Sequence, residues 1–119
     1  MRTYSLGKIT TTPGTPVRVS TDPTLRVKRL RFVPVPGGTG ISYVGVAGNA
    51  PNGQPDVTDF PMNKTTYAGV VMALPPFPTA SQVERLELVA DSDYGVQVSN
   101  YYIDVDAGSN GLIVSYDVE

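Results

Sequence analysis

Alternation of apolar and polar residues is the clearest pattern in this sequence. In Leu112–Val118 every second residue is apolar, and Ile103 and Val105 alternate with polar neighbours in the same way. A period of two is typical of strands that bury one face. Residues 108–111 lie between these runs and read Gly-Ser-Asn-Gly, a composition that adopts the positive φ values of a tight turn. The sequence therefore predicts an antiparallel hairpin that joins residues 103–105 to Leu112–Val118.

Seven further segments are rich in β-branched and aromatic residues and are bounded by Pro, Gly, Asp or Thr. No long helical period survives, because 12 Gly and 11 Pro are scattered through the 119 residues. Many short strands in a chain of this size predict an all-β fold, a single antiparallel β-sandwich that is jelly-roll-like and occupies residues 1–119 as one domain. The seven segments are residues 6–11, 17–20, 25–33, 41–47, 67–73, 83–89 and 96–99.

Three places depart from simple strand alternation. Within residues 25–33 the apolar positions change phase after Val27, which predicts a β-bulge near Lys28 and Arg29. Residues 48–64 contain three prolines and are predicted to form one long loop, a length typical of functional or disordered segments in a small domain. Residues 75–78 read Pro-Pro-Phe-Pro and predict a stiff, extended crossing.

Composition removes most catalytic chemistry from consideration. The sequence has no cysteine and no histidine, so it lacks the thiolate nucleophile, the sulfur ligands of zinc sites, the commonest general base and the commonest transition-metal ligand. We therefore expect a protein that is not an enzyme and that needs no cofactor and no metal. A small glycosidase-like enzyme is the weakest of the alternatives.

Two acidic segments were considered as sites and interpreted as polar turns. The segment that starts at Asp104 has the alternating oxygen ligands of a calcium loop, but Gly108 stands at its third ligand position and Ser115 at its twelfth. Asp91 and Asp93 form an acid pair, yet nothing in the sequence predicts a substrate pocket beside them. Both segments are therefore expected to be solvated turns next to strands.

Charge is unevenly distributed along the chain. Residues 1–83 contain eight Lys or Arg and three acids, whereas residues 84–119 contain Arg85 alone against eight acids. Such asymmetry either complements a neighbouring subunit or cancels locally where strands from the two halves interleave. The sequence pI near 4.9 argues against a nucleic-acid-binding domain.

Cations are concentrated on one predicted strand, and tyrosines are numerous. Lysine and arginine at this density either protect an exposed sheet edge from pairing or dock on an acidic protein surface. The seven tyrosines form either a stacking platform for sugars or bases or, in the favoured interpretation, core and interface packing. Arg26, Lys28, Arg29 and Arg31 lie in the predicted strand at residues 25–33, and Arg18 lies in the segment before it, at residues 17–20.

Three stretches of the chain follow a familiar pattern. Residues 8–19 form a Thr-rich strand with Pro-Gly-Thr-Pro, and residues 27–45 form a basic strand followed by a Gly-rich turn and Ile-Ser-Tyr-Val-Gly. The chain ends with Tyr-Ile-Asp-Val-Asp-Ala, a Gly/Asn turn and Gly-Leu-Ile-Val-Ser-Tyr. Together these stretches resemble small β-rich virion structural proteins of tailed phages, of the capsid decoration or cement type. Residues 48–82 depart from the pattern as a longer, Pro-rich insertion.

This resemblance implies a non-enzymatic protein that binds the outer surface of the phage head, with the major capsid protein as partner, and clamps neighbouring capsid subunits. The alternatives are a head–tail connector and a tail-associated carbohydrate-binding module. We expect a homo-oligomer, with a trimer favoured and a dimer possible. We expect no nucleic acid, membrane or small-molecule substrate as partner.

The start of the chain lacks the apolar core of a signal peptide, and Val70–Leu74 is too short to cross a bilayer. We therefore expect synthesis in the host cytoplasm and a final location on the virion, at the outer capsid surface. Terminal segments often become ordered on a partner, and an arm laid along a sheet edge gains main-chain hydrogen bonds. The residues predicted to bind the capsid or a neighbouring subunit are Arg2, Thr3, Tyr4, Arg26, Lys28, Arg29 and Arg31.

Overall fold

A computed structural model of the chain describes residues 2–36, 40–46, 62–65, 69–75, 85–107 and 110–118. These ranges contain ten β-strands and one short 3-10 turn, at Val98–Asn100. The strands are β1 (Arg2–Ile9), β2 (Val17–Arg18), β3 (Arg26–Val27), β4 (Arg29–Pro34), β5 (Ser42–Val46), β6 (Val70–Leu74), β7 (Leu86–Val89), β8 (Val96–Gln97), β9 (Tyr101–Val105) and β10 (Leu112–Val118).

The strands form two four-stranded antiparallel sheets that pack as a β-sandwich, which confirms the predicted fold class. Sheet A has the order β1-β10-β4-β7, and sheet B has the order β2-β9-β5-β6. The short strands β3 and β8 pair with each other at one end. The chain visits the sheets in the order A, B, A, B, B, A, B, A, which is compatible with the predicted jelly roll. The jelly roll itself stays a prediction.

The predicted hairpin between residues 103–105 and Leu112–Val118 is wrong. Strand β9 lies between β2 and β5 in sheet B, whereas β10 lies between β1 and β4 in sheet A. The connection does turn, since the Asn110 N–H donates to the Ala107 carbonyl at 3.0 Å, but it carries the chain from one sheet to the other. Each strand is hydrogen-bonded at both edges to strands distant in sequence, and local alternation holds no information about those partners.

The irregularity predicted near Lys28 and Arg29 is a change of pairing partner rather than a bulge within one strand. Val27 pairs with Val96 of β8. At Lys28 the chain joins sheet A: its N–H donates to the Asp117 carbonyl at 2.9 Å, and its carbonyl accepts from the Ala90 N–H at 2.8 Å. The phase of the buried positions therefore shifts by one residue as the chain enters β4.

The main core lies between the two sheets. Leu30, Phe32 and Val114 of sheet A face Val44 and Ile103 of sheet B, and all five are fully buried. Burial of one such side chain stabilises the fold by about 1.5–3 kcal/mol. The alternating apolar positions that predicted the strands are thus the positions that fill the sandwich.

A second, smaller cluster covers the outer face of sheet B. Tyr43, Met62 and Tyr102 pack there, on the side opposite the main core. The backbone approach is close, because a Cβ added at Gly45 would lie 2.5 Å from the Gly69 carbonyl oxygen and would contact the Met62 sulfur. The end of the predicted long loop therefore lies against this sheet.

The rest of that predicted loop, residues 48–61, lies outside the described residues, as do residues 76–78 of the predicted extended crossing and residues 108–109 of the predicted hairpin turn. In the part of the chain that is described, no helix is long and apolar enough to cross a membrane.

Candidate protein-docking site

The seven predicted binding residues converge on the C-terminal end of β10. On one side of β10, Arg2 pairs with Val118 and Thr3 pairs with Asp117. On the other side, Asp117 pairs with Arg29 of β4. Residues from the start of the chain and from the cationic strand, far apart in sequence, are thus brought to the same strand end.

The first residues are not a free arm, which corrects the reason for selecting them. Residues 2–9 form β1 and pair with β10 along its length. The Tyr4 ring stacks on the Tyr116 ring with centroids 5.5 Å apart, and the Thr3 hydroxyl donates to Asp117 Oδ1 at 2.7 Å. Leu6 packs against the main core, so the segment has a place in the chain's own sheet.

Two of the predicted cations are held by an ion-pair network on the outer face of sheet A. Arg31 contacts Asp117 through two parallel hydrogen bonds of 2.7 Å, Nη1 to Oδ2 and Nη2 to Oδ1. Arg29 Nη1 lies 4.0 Å from Asp117 Oδ2. Its Nε lies 3.1 Å from Glu87 Oε1, close enough for an ion pair but not aligned for a hydrogen bond. We call Thr3, Arg29, Arg31, Glu87 and Asp117 the Asp117 cluster.

The Asp117 cluster satisfies its charges internally. The Asp117 side chain is only 5% exposed although it lies on an outer face, because the two arginines cover it. Hydrogen bonds from Arg31 and then from Thr3 hold the pKa of Asp117 well below its usual range, and the same contact raises the pKa of Arg31. Arg29 and Arg31 therefore stabilise the sheet and are poorly placed to attract an outside anion.

Arg26 has a different environment, in a groove of about 200 Å³ at the end of the sandwich where β3 lies. Arg26 is exposed, and its side chain makes no hydrogen bond or ion pair within the described residues. Beside it, the Tyr94 side chain is 79% exposed, the highest value among the large hydrophobic residues described. We call this the Tyr94 groove; its lining is Arg26, Val27, Lys28, Asp93, Tyr94, Gly95 and Val118.

The turn that presents Tyr94 is fixed by its glycine. Gly95 has φ +78°, in the left-handed region, and its N–H donates to the Ser92 carbonyl at 3.2 Å. A Cβ at Gly95 would lie 2.8 Å from the Val27 carbonyl oxygen, so only glycine allows the turn to approach β3 this closely. Tyr94 is thus an exposed aromatic side chain on a preorganised support.

Tyr94 was missed by the sequence interpretation, which treated Asp91 and Asp93 as a polar turn and assigned the tyrosines to packing. The available signal was an aromatic residue placed inside Asp-Ser-Asp-Tyr-Gly, where a tight turn leaves little apolar surface to bury a ring. Tyr and Arg are the residue types enriched at the centres of protein interfaces. The groove therefore suits protein recognition.

The acidic segment at the end of β9 is tied down by the fold. Asp104 Oδ1 accepts the Gly14 N–H at 3.0 Å, which anchors the loop between β1 and β2. Asp106 accepts the Tyr43 hydroxyl at 3.2 Å and the Lys64 ammonium at 3.1 Å. Among the described side chains, no group of three or more Asp, Glu, His or Cys is placed to hold a metal ion.

Comparison with known proteins adds no relative to this geometry: no family model, no curated protein and no solved structure matches the chain.

Proposed function

We propose that this protein is a phage capsid decoration protein without catalytic activity, which docks on the outer head surface and clamps neighbouring capsid subunits. The Tyr94 groove and the adjoining start of β1 form the docking surface. The observation that carries the proposal is an exposed Tyr94, presented by the turn that Gly95 fixes, beside the exposed Arg26 of β3.

Physical chemistry favours this surface as a binding site. A tyrosine side chain has only two χ angles, so it loses little conformational entropy when a partner covers it. Arg26 adds a charge that is not neutralised by its own chain, and Val27 and Val118 add apolar walls. These properties are typical of the few residues that supply most of the affinity in a protein interface.

The capsid as partner is supported by the sequence resemblance to tailed-phage virion proteins. A clamp needs a rigid scaffold with a modest contact that is repeated many times over the shell, since linked contacts multiply affinity. A β-sandwich with a fully buried core provides such a scaffold. The absence of His and Cys from the sequence places no restriction on that role.

The charge asymmetry between the two halves of the chain is largely satisfied within the subunit. Arg31 from the basic half pairs with Asp117 from the acidic half, and Lys64 pairs with Asp106. In sheet A, strands from the two halves alternate, so opposite charges meet locally. The charge pattern consequently gives no special support to a homotrimer, which stays a prediction.

The decisive experiment is quantitative mass spectrometry of purified virions. A decoration protein is expected at hundreds of copies per particle, whereas a head–tail connector would be present at a few copies. Absence from the particle, or a specific signal on a glycan array from the isolated protein, would contradict the proposal and favour the carbohydrate-binding alternative.

The docking surface is tested with two substitutions and a matched control. Tyr94→Ala and Arg26→Ser are expected to weaken co-sedimentation with particles stripped of the protein, Tyr94→Ala by about tenfold or more. Val71→Ala removes an exposed apolar side chain from sheet B and should leave binding unchanged. Thermal unfolding of all three should stay close to the parent, because surface substitutions usually change stability by about 0.5 kcal/mol or less. Equal losses in all three variants would place the docking surface elsewhere.

A further inference from the structure

Sheet A ends in an edge strand with an unusual amount of free backbone. Strand β1 contains eight residues and pairs with β10 on one side. On its other side no strand of the described residues is paired with it. Within the described part of the chain, its outward N–H and C=O groups therefore have no strand partner.

The two halves of β1 differ in how far they are protected from pairing. Natural edge strands are blunted by bulges and by lysine. In β1 the register shifts between Ser5 and Gly7, where Gly7 has φ +75°, and Lys8 follows. Arg2–Ser5 has no bulge and no lysine, and Arg2 is its one charged residue: its register with β10 is regular and its four side chains are exposed.

The unprotected half of β1 adjoins the Tyr94 groove. Arg2 is the register partner of Val118, and Val118 lines the groove together with Arg26 and Tyr94. The open edge of β1 faces away from β10, so β1 would separate an extended segment paired with residues 2–5 from Val118 and the groove.

Charge distinguishes between the strands that could occupy this edge. The side chains of β1 include Arg2 and Lys8 and no acid. In the described lining of the groove the charged residues are Arg26, Lys28 and Asp93. A second copy of β1 would bring further cations and no acid to this edge. An acidic segment would complement the surface.

We propose that the Arg2–Ser5 half of β1 accepts an extended, acidic segment of the partner protein as a fifth strand of sheet A. Main-chain hydrogen bonds to β1 supply affinity independent of sequence, and acidic side chains facing Arg2 supply specificity. This inference names the partner chemistry of the proposed docking surface and rests on it for the identity of the partner as a capsid protein.

The first arm of the test uses the isolated protein and synthetic peptides, so it needs no capsid. A short peptide that alternates Glu with Val and Thr is added, and amide shifts and hydrogen exchange are followed by NMR. We expect slower exchange at residues 2–5, with a smaller effect as salt rises, and no change along the β7 edge. A twin peptide with Lys in place of Glu should not bind. Failure of the acidic peptide, or equal binding of the twin, overturns the inference.

Variants separate strand addition from simple charge attraction. Consecutive residues direct their N–H groups to opposite edges, so only one of Tyr4→Pro and Ser5→Pro removes an N–H from the ladder with β10. Thermal unfolding identifies the variant that keeps its stability, and that variant should lose peptide binding. Arg2→Glu should lose the acidic peptide, whereas Arg85→Glu, at the opposite edge of sheet A, should retain it.

The second arm measures hydrogen exchange of the protein bound to phage particles. Particle binding without protection at residues 2–5 overturns strand addition and leaves the decoration function standing. Binding of the acidic peptide without binding to particles contradicts the function and leaves strand addition standing. Light scattering that shows a dimer, with residues 2–5 already protected in the absence of peptide, would assign the edge to a second copy and overturn the acidic partner.

Discussion

The Asp117 cluster and the Tyr94 groove take their arginines from the same short run, residues 26–31, yet the arginines have opposite environments. Arg31 is held by two 2.7 Å hydrogen bonds to Asp117, and Arg29 lies between Asp117 and Glu87. Arg26 is exposed, and its side chain has no partner in the described residues. A dense run of cations in a sequence thus does not show which of them are free to bind another molecule.

The break at Lys28 explains the difference. Arg26 precedes it and lies on β3, opposite the uncharged Gln97. After the break the chain enters sheet A, where Arg31 is opposite Ser115 on one side and Glu87 on the other. The acidic side chains that neutralise Arg29 and Arg31 therefore belong to β10 and β7, strands that β3 does not touch in register.

The largest effect is expected from disturbing the turn that supports the groove. Gly95→Ala places a Cβ at positive φ and 2.8 Å from the Val27 carbonyl oxygen, so it should destabilise the fold by about 1–3 kcal/mol or more and reduce particle binding. Gly14→Ala is the matched control, since Gly14 has φ +86° but open space around the Cβ. Chemical denaturation measures both variants. A loss for Gly14→Ala as large as for Gly95→Ala would show that the close approach to β3 is unimportant.

The next effect concerns the Asp117 cluster. Arg31→Met keeps an apolar stem but removes both hydrogen bonds to Asp117, so the melting temperature should fall by several degrees while particle binding by the folded protein is retained. Arg85→Met, whose side chain is 63% exposed, should change the melting temperature little. Loss of particle binding in Arg31→Met at a temperature where it is folded would break the distinction between the two regions.

The smallest effect is the pH dependence that Asp117 gives to the melting temperature, which is absent near neutral pH and develops in acid. Its pKa is lowered in the folded protein, so its contribution to stability is present above the unfolded-state pKa of about 3.9 and is lost as pH falls toward the folded-state pKa. As the pH is lowered from about 5, we expect the melting temperature to decrease, and to decrease less steeply in Asp117→Asn. Parallel acid profiles for the two proteins would remove Asp117 as the cause. Particle binding of Asp117→Asn at neutral pH should match the parent.

Strand positions and the sandwich could be predicted because alternation is a local property. Each of the nine predicted strand segments overlaps an observed strand, and the phase change after Val27 marks the observed break between β3 and β4. The sequence predicted which residues are candidates for binding, but not which of them are paired within the fold. Arg2, Arg26 and Arg31 look equivalent in the sequence, and nothing local distinguishes the free cations from the paired one.

What the sequence determined by itself is the fold class, the place of each strand and the absence of thiol and imidazole chemistry. The tertiary structure alone decided that β9 and β10 belong to different sheets, that the first residues pair with β10, and that Tyr94 projects beside Arg26. The physical reason is the range of the interactions. Alternation depends on residues two positions apart, whereas strand partners and ion pairs join residues separated by most of the chain, as Thr3 and Asp117 do.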